Sequence, residues 1–176
     1  MYAYLMIFKA LAFDIEANGF KPTEIFCIAT TDLITGQRQM FTPEYIAEGC
    51  IHLLEADFLV GHYIRGYDCP VIEKLTQGLV AFENDRLIDT LDMSKALTSR
   101  KKHSLKSWGE EFGLPKMASP IFESYSPTML PYCERDVEIT VKLFYHLAEH
   151  YIDNPKPFRN HEMFNELLEH MVQHAQ

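Results

Sequence analysis

Apolar positions in this chain follow two rhythms. Residues 8–15 (FKALAFDI) and 24–31 (EIFCIATT) are short runs rich in β-branched and aromatic side chains, bounded by turn residues, and both predict strands. TGQRQMF, 35–41, completes a meander. The spacing then lengthens: TPEYIAEGCIHLLEA, 42–56, opens at a capping Thr followed by Pro and repeats its apolar residues as a helix does. DFLVGHY, 57–63, returns to strand character. YDCPVIEKLTQ (67–77) predicts a helix, RLID (86–89) a short edge strand and TLDMSKALTS (90–99) another helix. Three strands followed by helix and strand in alternation define an α/β domain with an antiparallel start.

The second half is helical. HSLKSWGEEFG, 103–113, has Ser104 as its N-cap, Leu105, Trp108 and Phe112 on one face, and Gly113 as a stop. A Pro-containing connection, 113–125, leads to a long helix expected over 126–151, capped by Ser126 with Pro127 at its first position. On that reading Pro131 lies deep enough to kink the helix just before Tyr132. DNPKP, 153–157, breaks the chain before an amphipathic helix at 158–173. Its apolar side (Phe158, Met163, Phe164, Leu167, Leu168, Met171) is expected to cover the core. The expected division is therefore 1–152 as the main domain, with 153–176 a turn and helix packed on it.

Composition narrows the class. With 176 residues, 47% apolar and 23% charged, the chain can enclose one substantial core, and neither a disordered nor a fibrous protein is indicated. The opening MYAYLMIFKALAFDIEA is apolar but has no basic leader and runs into two acids, so neither a signal peptide nor a membrane span is expected. Cys27, Cys50, Cys69 and Cys133 are scattered without a CxxC pair, which argues against zinc and a disulfide framework and for a reducing cytoplasm. A net charge of −9 opposes nucleic-acid binding unless cations or a local basic patch offset it. The pairs His146/His150 and His170/His174, at i, i+4 without a third ligand, are expected to be solvated helix residues.

Five residues carry candidate chemistry. Asp14 and Glu16, two apart on a strand, point to one face about 7 Å apart at Cα and can share an ion; taken alone, they also fit a solvated strand end. Asp68 lies where a strand, a loop and a helix meet, a place that also suits a plain N-cap. Tyr132 and Asp136 are four apart on one helical face.

In this order, DxE on a first strand, D at a strand-to-helix junction and YxxxD on a late helix, the pattern resembles the DEDD superfamily of 3′-5′ exonucleases in its tyrosine-bearing branch. More specifically it resembles the proofreading exonuclease domain of bacterial and phage family-A DNA polymerases. FDIEANG, VGHY followed by GYD-P, LIDTLDMSKAL, HSLKSWGEEFG and YCERDV carry the resemblance over residues 8 to about 150. It implies a ribonuclease H-like fold, a five-stranded mixed sheet flanked by helices, and removal of nucleotides from a DNA 3′ end as nucleoside 5′-monophosphates. It also implies two divalent ions, Mg²⁺ or Mn²⁺, about 4 Å apart, which activate water and stabilise the leaving oxygen. Hard cations of this kind prefer carboxylate oxygens.

Carried over by the resemblance, Asp14 bridges both ions, Glu16 and Asp136 complete the first, and Asp68 holds the second through water. Tyr132 orients the attacking water, its phenol being too weak an acid to serve as a base. Phe20 falls where relatives place a wedge against the terminal base, although a core position would suit it equally. His62, Tyr63, Arg65, Lys101 and Lys102 are expected substrate contacts, the lysines also being compatible with a plain solvated loop. The expected partners are single-stranded DNA or frayed 3′ ends and a separate DNA polymerase, with no membrane, in a bacterial or phage-infected cytoplasm. Two positions depart from the family pattern: Tyr63 replaces the usual Asn after His, and Pro131 precedes the motif tyrosine. Activity is nonetheless expected. The alternatives are a 3′-5′ exoribonuclease, a non-catalytic nucleic-acid-binding or scaffold module, and a globular protein with merely structural acids.

Overall fold

Ala10–Ala17 forms β1, the central strand of a five-stranded sheet in the computed structural model, which describes residues 8–19 and 21–174. β2 (Ile25–Asp32) and β3 (Arg38–Phe41) follow as antiparallel neighbours. β4 (Phe58–Gly61) and β5 (Leu87–Asp89) join the other edge in parallel, giving the order β3-β2-β1-β4-β5. The helices are α1 (Ile46–Leu54), α2 (Asp68–Leu75), α3 (Thr90–Leu97), α4 (Leu105–Glu111), α5 (Met129–Asp153) and α6 (His161–His174). The sheet is mixed with an antiparallel start, as the family resemblance implies, and the order of strands and helices follows the change of rhythm along the chain.

Alternation along β1 divides the core in two. Leu11, Phe13 and Ile15 pack with Cys50 and Leu53 of α1 and with Val71 and Ile72 of α2. On the opposite face Ala10 and Ala12 belong with Met129, Cys133, Val137 and Phe144 of α5. Small side chains at 10 and 12 let α5 lie close, and the same face continues into Asp14 and Glu16. The two acids therefore lie beneath a helix rather than on a solvated face, and Glu16 is only 8% exposed.

The long helix starts later than expected. Ser126 and Pro127 form a turn in which Ser126 accepts from the amides of Thr128 and Met129, and α5 begins at Met129. Pro131 is thus the third helical residue. Amides in the first turn have no intrahelical acceptor, so a missing N–H is harmless there and the expected kink loses its cause. α6 closes the end of the core: Phe164 and Leu167 are fully buried, and the Phe164 ring meets Phe144, Tyr151 and Phe158 edge-on at 5.7, 5.3 and 5.4 Å. Two of the histidines expected to be solvated pack instead, His146 against Trp108 and Phe112 and His170 stacked on Phe8 at 4.2 Å. The cysteines are free and buried. No described helix is long and apolar enough to cross a membrane.

Candidate active site

The acids converge from three elements. Asp14 and Glu16 leave β1 toward α5, and the β1–β2 register slips between Glu16 and Ala17, a local irregularity of the kind that re-aims side chains at strand ends. Asp68 opens α2, yet its carboxylate caps nothing: Tyr67 holds the N-cap position, and Asp68 Oδ1 accepts from the amide of Ile15 at 3.2 Å. That bond ties the second acid to the strand bearing the first two. From α5, Tyr132, Cys133 and Asp136 lie over the sheet. Cys133 Sγ donates to the carbonyl of Asp14 at 3.3 Å and lies 3.6 Å from Asp14 Oδ2. One oxygen each of Asp14 and Glu16 and Cys133 Sγ all lie within 4.8 Å of one another.

Burial and mutual repulsion disfavour charge throughout the cluster. Burial, then the carboxylates of Asp68, Glu16 and Asp136, hold Asp14 well above the ordinary carboxylate range. Glu16 is pushed up to about 9 by burial and by Asp136, and Asp68 to about 7 by burial, partly offset by the Ile15 amide. Asp136 is raised by burial despite an ion pair with Lys116. The lysine comes from the connection between α4 and α5. Burial disfavours its charge, but Asp136 outweighs this and holds the amine above its usual range. Lys116 Nζ also lies 5.2 Å from the centre of the Tyr132 ring.

This donor set fits hard divalent cations. Among the described residues, four carboxylates gather with one amine, and Asp136 Oδ1 is buried without a hydrogen-bond partner. Acids that resist ionisation alone, with an oxygen left over, are what a cation of higher charge than lysine would relieve. The Cys133 thiol is engaged with Asp14 and adds no hard ligand. Beside Glu16 opens a cavity of about 190 Å³ lined by Ile15, Glu16, Ala17, Gly19, Tyr67 and Phe122. Tyr67 donates to the carbonyl of Gly19 at 2.7 Å, fixing one wall, and Phe122 meets the Tyr132 ring edge-on at 6.1 Å.

The expected substrate contacts take different places. Phe20 lies outside the described residues. Tyr63 is exposed on the loop after β4. His62 bonds the Thr90 hydroxyl at 2.9 Å, and burial pushes its pKa down to about 4, so the ring is a neutral strut between β4 and α3. Arg65 is held by the fold: only 8% of its side chain is exposed, it donates to Asn84 and to the Leu87 carbonyl, and it approaches Asp92 at 3.8 Å. Its guanidinium is turned into the fold, where the Asn84 and Leu87 carbonyls accept from it and also from the side-chain amide of Asn160. Lys101 and Lys102 are exposed ahead of α4. Two important residues had no assigned role. Asp89, at the end of β5, caps α3 through the Leu91 amide and accepts from the amides of Tyr63 and Arg65, so a buried carboxylate shapes the loop leading to Asp68. An Asp just before the 90–99 helix was the available signal. Lys116 had none.

No protein-family model matches the chain, and no curated protein does either. Among solved structures, Brucella melitensis NrnC bound to pGG is similar at 18% identity and a TM-score of 0.66, covering 96% of this chain and 84% of that one. NrnC with bound Mg²⁺ is similar over the same shares at 18% identity and a TM-score of 0.65. The family B DNA polymerase from the hyperthermophilic archaeon Pyrobaculum calidifontis matches 82% of this chain at 17% identity and a TM-score of 0.57, and the chain spans 24% of the polymerase's length. The likeness shows a shared fold, the ribonuclease H-like α/β arrangement of a five-stranded mixed sheet flanked by helices.

Proposed function

We propose that this chain is a DEDD nuclease of the tyrosine-bearing branch, a metal-dependent exonuclease that hydrolyses DNA from the 3′ end to nucleoside 5′-monophosphates. The observation that carries this reading is the convergence of Asp14, Glu16, Asp68 and Asp136, largely buried, against one lysine. Those four residues would hold two divalent ions, Mg²⁺ or Mn²⁺, which when bound supply the Lewis acidity that activates water and stabilises the leaving 3′ oxygen. The likeness to NrnC with bound Mg²⁺ and to NrnC bound to pGG supports it, as does the likeness to a DNA polymerase.

The chain's own residues divide the remaining work. Burial holds the Tyr132 phenol above its ordinary pKa, so it stays protonated and acts by orienting the attacking water, not by removing its proton. The cavity walled by Tyr67 and Phe122 would take the terminal nucleotide, its aromatic faces suiting any base. Lys101 and Lys102 supply positive charge toward the phosphates of a single strand or a frayed 3′ end, delivered by a separate DNA polymerase. Action on RNA would use the same cluster. The test is a matched pair of 5′-labelled single-stranded DNA and RNA oligonucleotides, incubated with Mg²⁺ or Mn²⁺ and sampled over time. A descending ladder, faster on DNA, is expected. A faster ladder on RNA would reassign the substrate, and no degradation of either would refute the proposal.

A further inference from the structure

Three non-glycine residues among those described have a left-handed backbone: Gln77, Asn160 and Tyr63. Asn tolerates that conformation, and Gln77 sits in a tight turn with Gly78, also at positive φ. Tyr63, at φ 68°, is the outlier, a bulky aromatic in a region such residues rarely enter.

The surroundings hold it there. The Tyr63 amide donates to Asp89 Oδ1 at 2.9 Å, and its carbonyl accepts from the amides of Gly66 and Tyr67 at 3.0 and 3.1 Å. The ring lies against Gly66, where any Cβ would overlap it, so glycine is the residue that lets the ring rest on the backbone. This support leaves Tyr63 53% exposed, and its hydroxyl bonds no described residue.

Its position connects it to the cluster. β1 and β4 run in parallel with Ala12 opposite Val60, which brings the residues after Gly61 level with Asp14. The loop continues through Tyr67, a wall of the cavity beside Glu16, to Asp68. A planar ring of this kind, fixed and open to solvent on the loop that leads to Asp68, matches the flat face of a nucleobase, and such stacking tolerates any sequence.

Resting on the nuclease reading above, we propose that Tyr63 is a stacking platform for a nucleobase of the single strand whose 3′ end enters the cluster. The test measures binding of a 5′-fluorescein single-stranded oligonucleotide by anisotropy with Ca²⁺ as the divalent ion, for the wild type, Tyr63→Phe and Tyr63→Asn. Asn suits the left-handed backbone, so Tyr63→Asn should melt at or above the wild-type temperature while binding about tenfold more weakly. Tyr63→Phe should bind within about twofold of the wild type, since the ring remains. Placing an abasic nucleotide at each position near the 3′ end in turn should identify one position at which wild type and Tyr63→Asn bind alike. Equal affinity of Tyr63→Asn and wild type for the intact strand would overturn the proposal. A wild-type protein that neither binds nor cleaves any oligonucleotide would instead overturn the nuclease reading, and this inference with it.

Discussion

Asp14 is held in a setting that opposes its own ionisation. Burial and three neighbouring carboxylates raise its pKa, while the strand beneath it is locked by Phe13 and Ile15. Asp14→Asn should therefore remove hydrolysis by about a thousandfold or more, consistent with the loss of several kcal/mol of metal assistance, while raising the melting temperature of the metal-free protein. Steady-state rates and thermal melts of the same preparation check both directions. Lys116 is the complementary case, since its amine neutralises Asp136 in the metal-free protein and must share the cluster with any cation that enters. Replacing it by Met should tighten Mn²⁺ binding by about tenfold, because a unit positive charge beside the site is removed. Calorimetric titration of the variant reads this directly.

Between β4 and α2, the loop that carries Asp68 depends on close packing. A Cβ at Gly61 would overlap the Ile64 side chain and come within 3.1 Å of the Phe13 carbonyl. Gly61→Ala should cost about 1–3 kcal/mol in urea unfolding and shift Asp68 away from the Ile15 amide, weakening metal binding as well. Elements were legible in the sequence to different degrees, for physical reasons. The strands were plain because alternation and β-branched runs are local signals, and Asp14, Glu16, Tyr132 and Asp136 could be placed on faces by strand and helix periodicity. Asp68 could not be separated from a capping residue, because its partner, the Ile15 amide, is 53 residues away. Lys116 escaped notice because an aperiodic, proline-containing connection gives no face to assign. The inward turn of Arg65 was not legible because nothing local says whether an arginine turns outward or finds carbonyls inside. The start of α5 was placed too early because the Ser126-Pro127 turn looks like a helix cap from sequence.

For the whole molecule, the cluster couples folding to pH and to cations. Glu16 rises from an ordinary value of 4.5 to about 9 and Asp68 from 3.8 to about 7, so between these limits the folded protein holds protons that the unfolded chain releases. Their contribution to stability is complete below about pH 4 and is lost as pH rises through the folded values. Metal-free protein should thus lose melting temperature steadily from about pH 5 to 9, and Mg²⁺ should flatten that slope by stabilising the ionised acids. The net charge of −9 points the same way, since bound cations reduce the repulsion that a polyanionic strand would meet. The most direct measurement is a calorimetric titration of the metal-free protein with Mn²⁺ near pH 7, performed in two buffers of different ionisation enthalpy. The account predicts two bound ions, with protons released as Glu16 and its neighbours ionise, and loss of this binding in Asp14→Asn. Absence of Mn²⁺ binding by the wild type, or the same binding by Asp14→Asn, would contradict it.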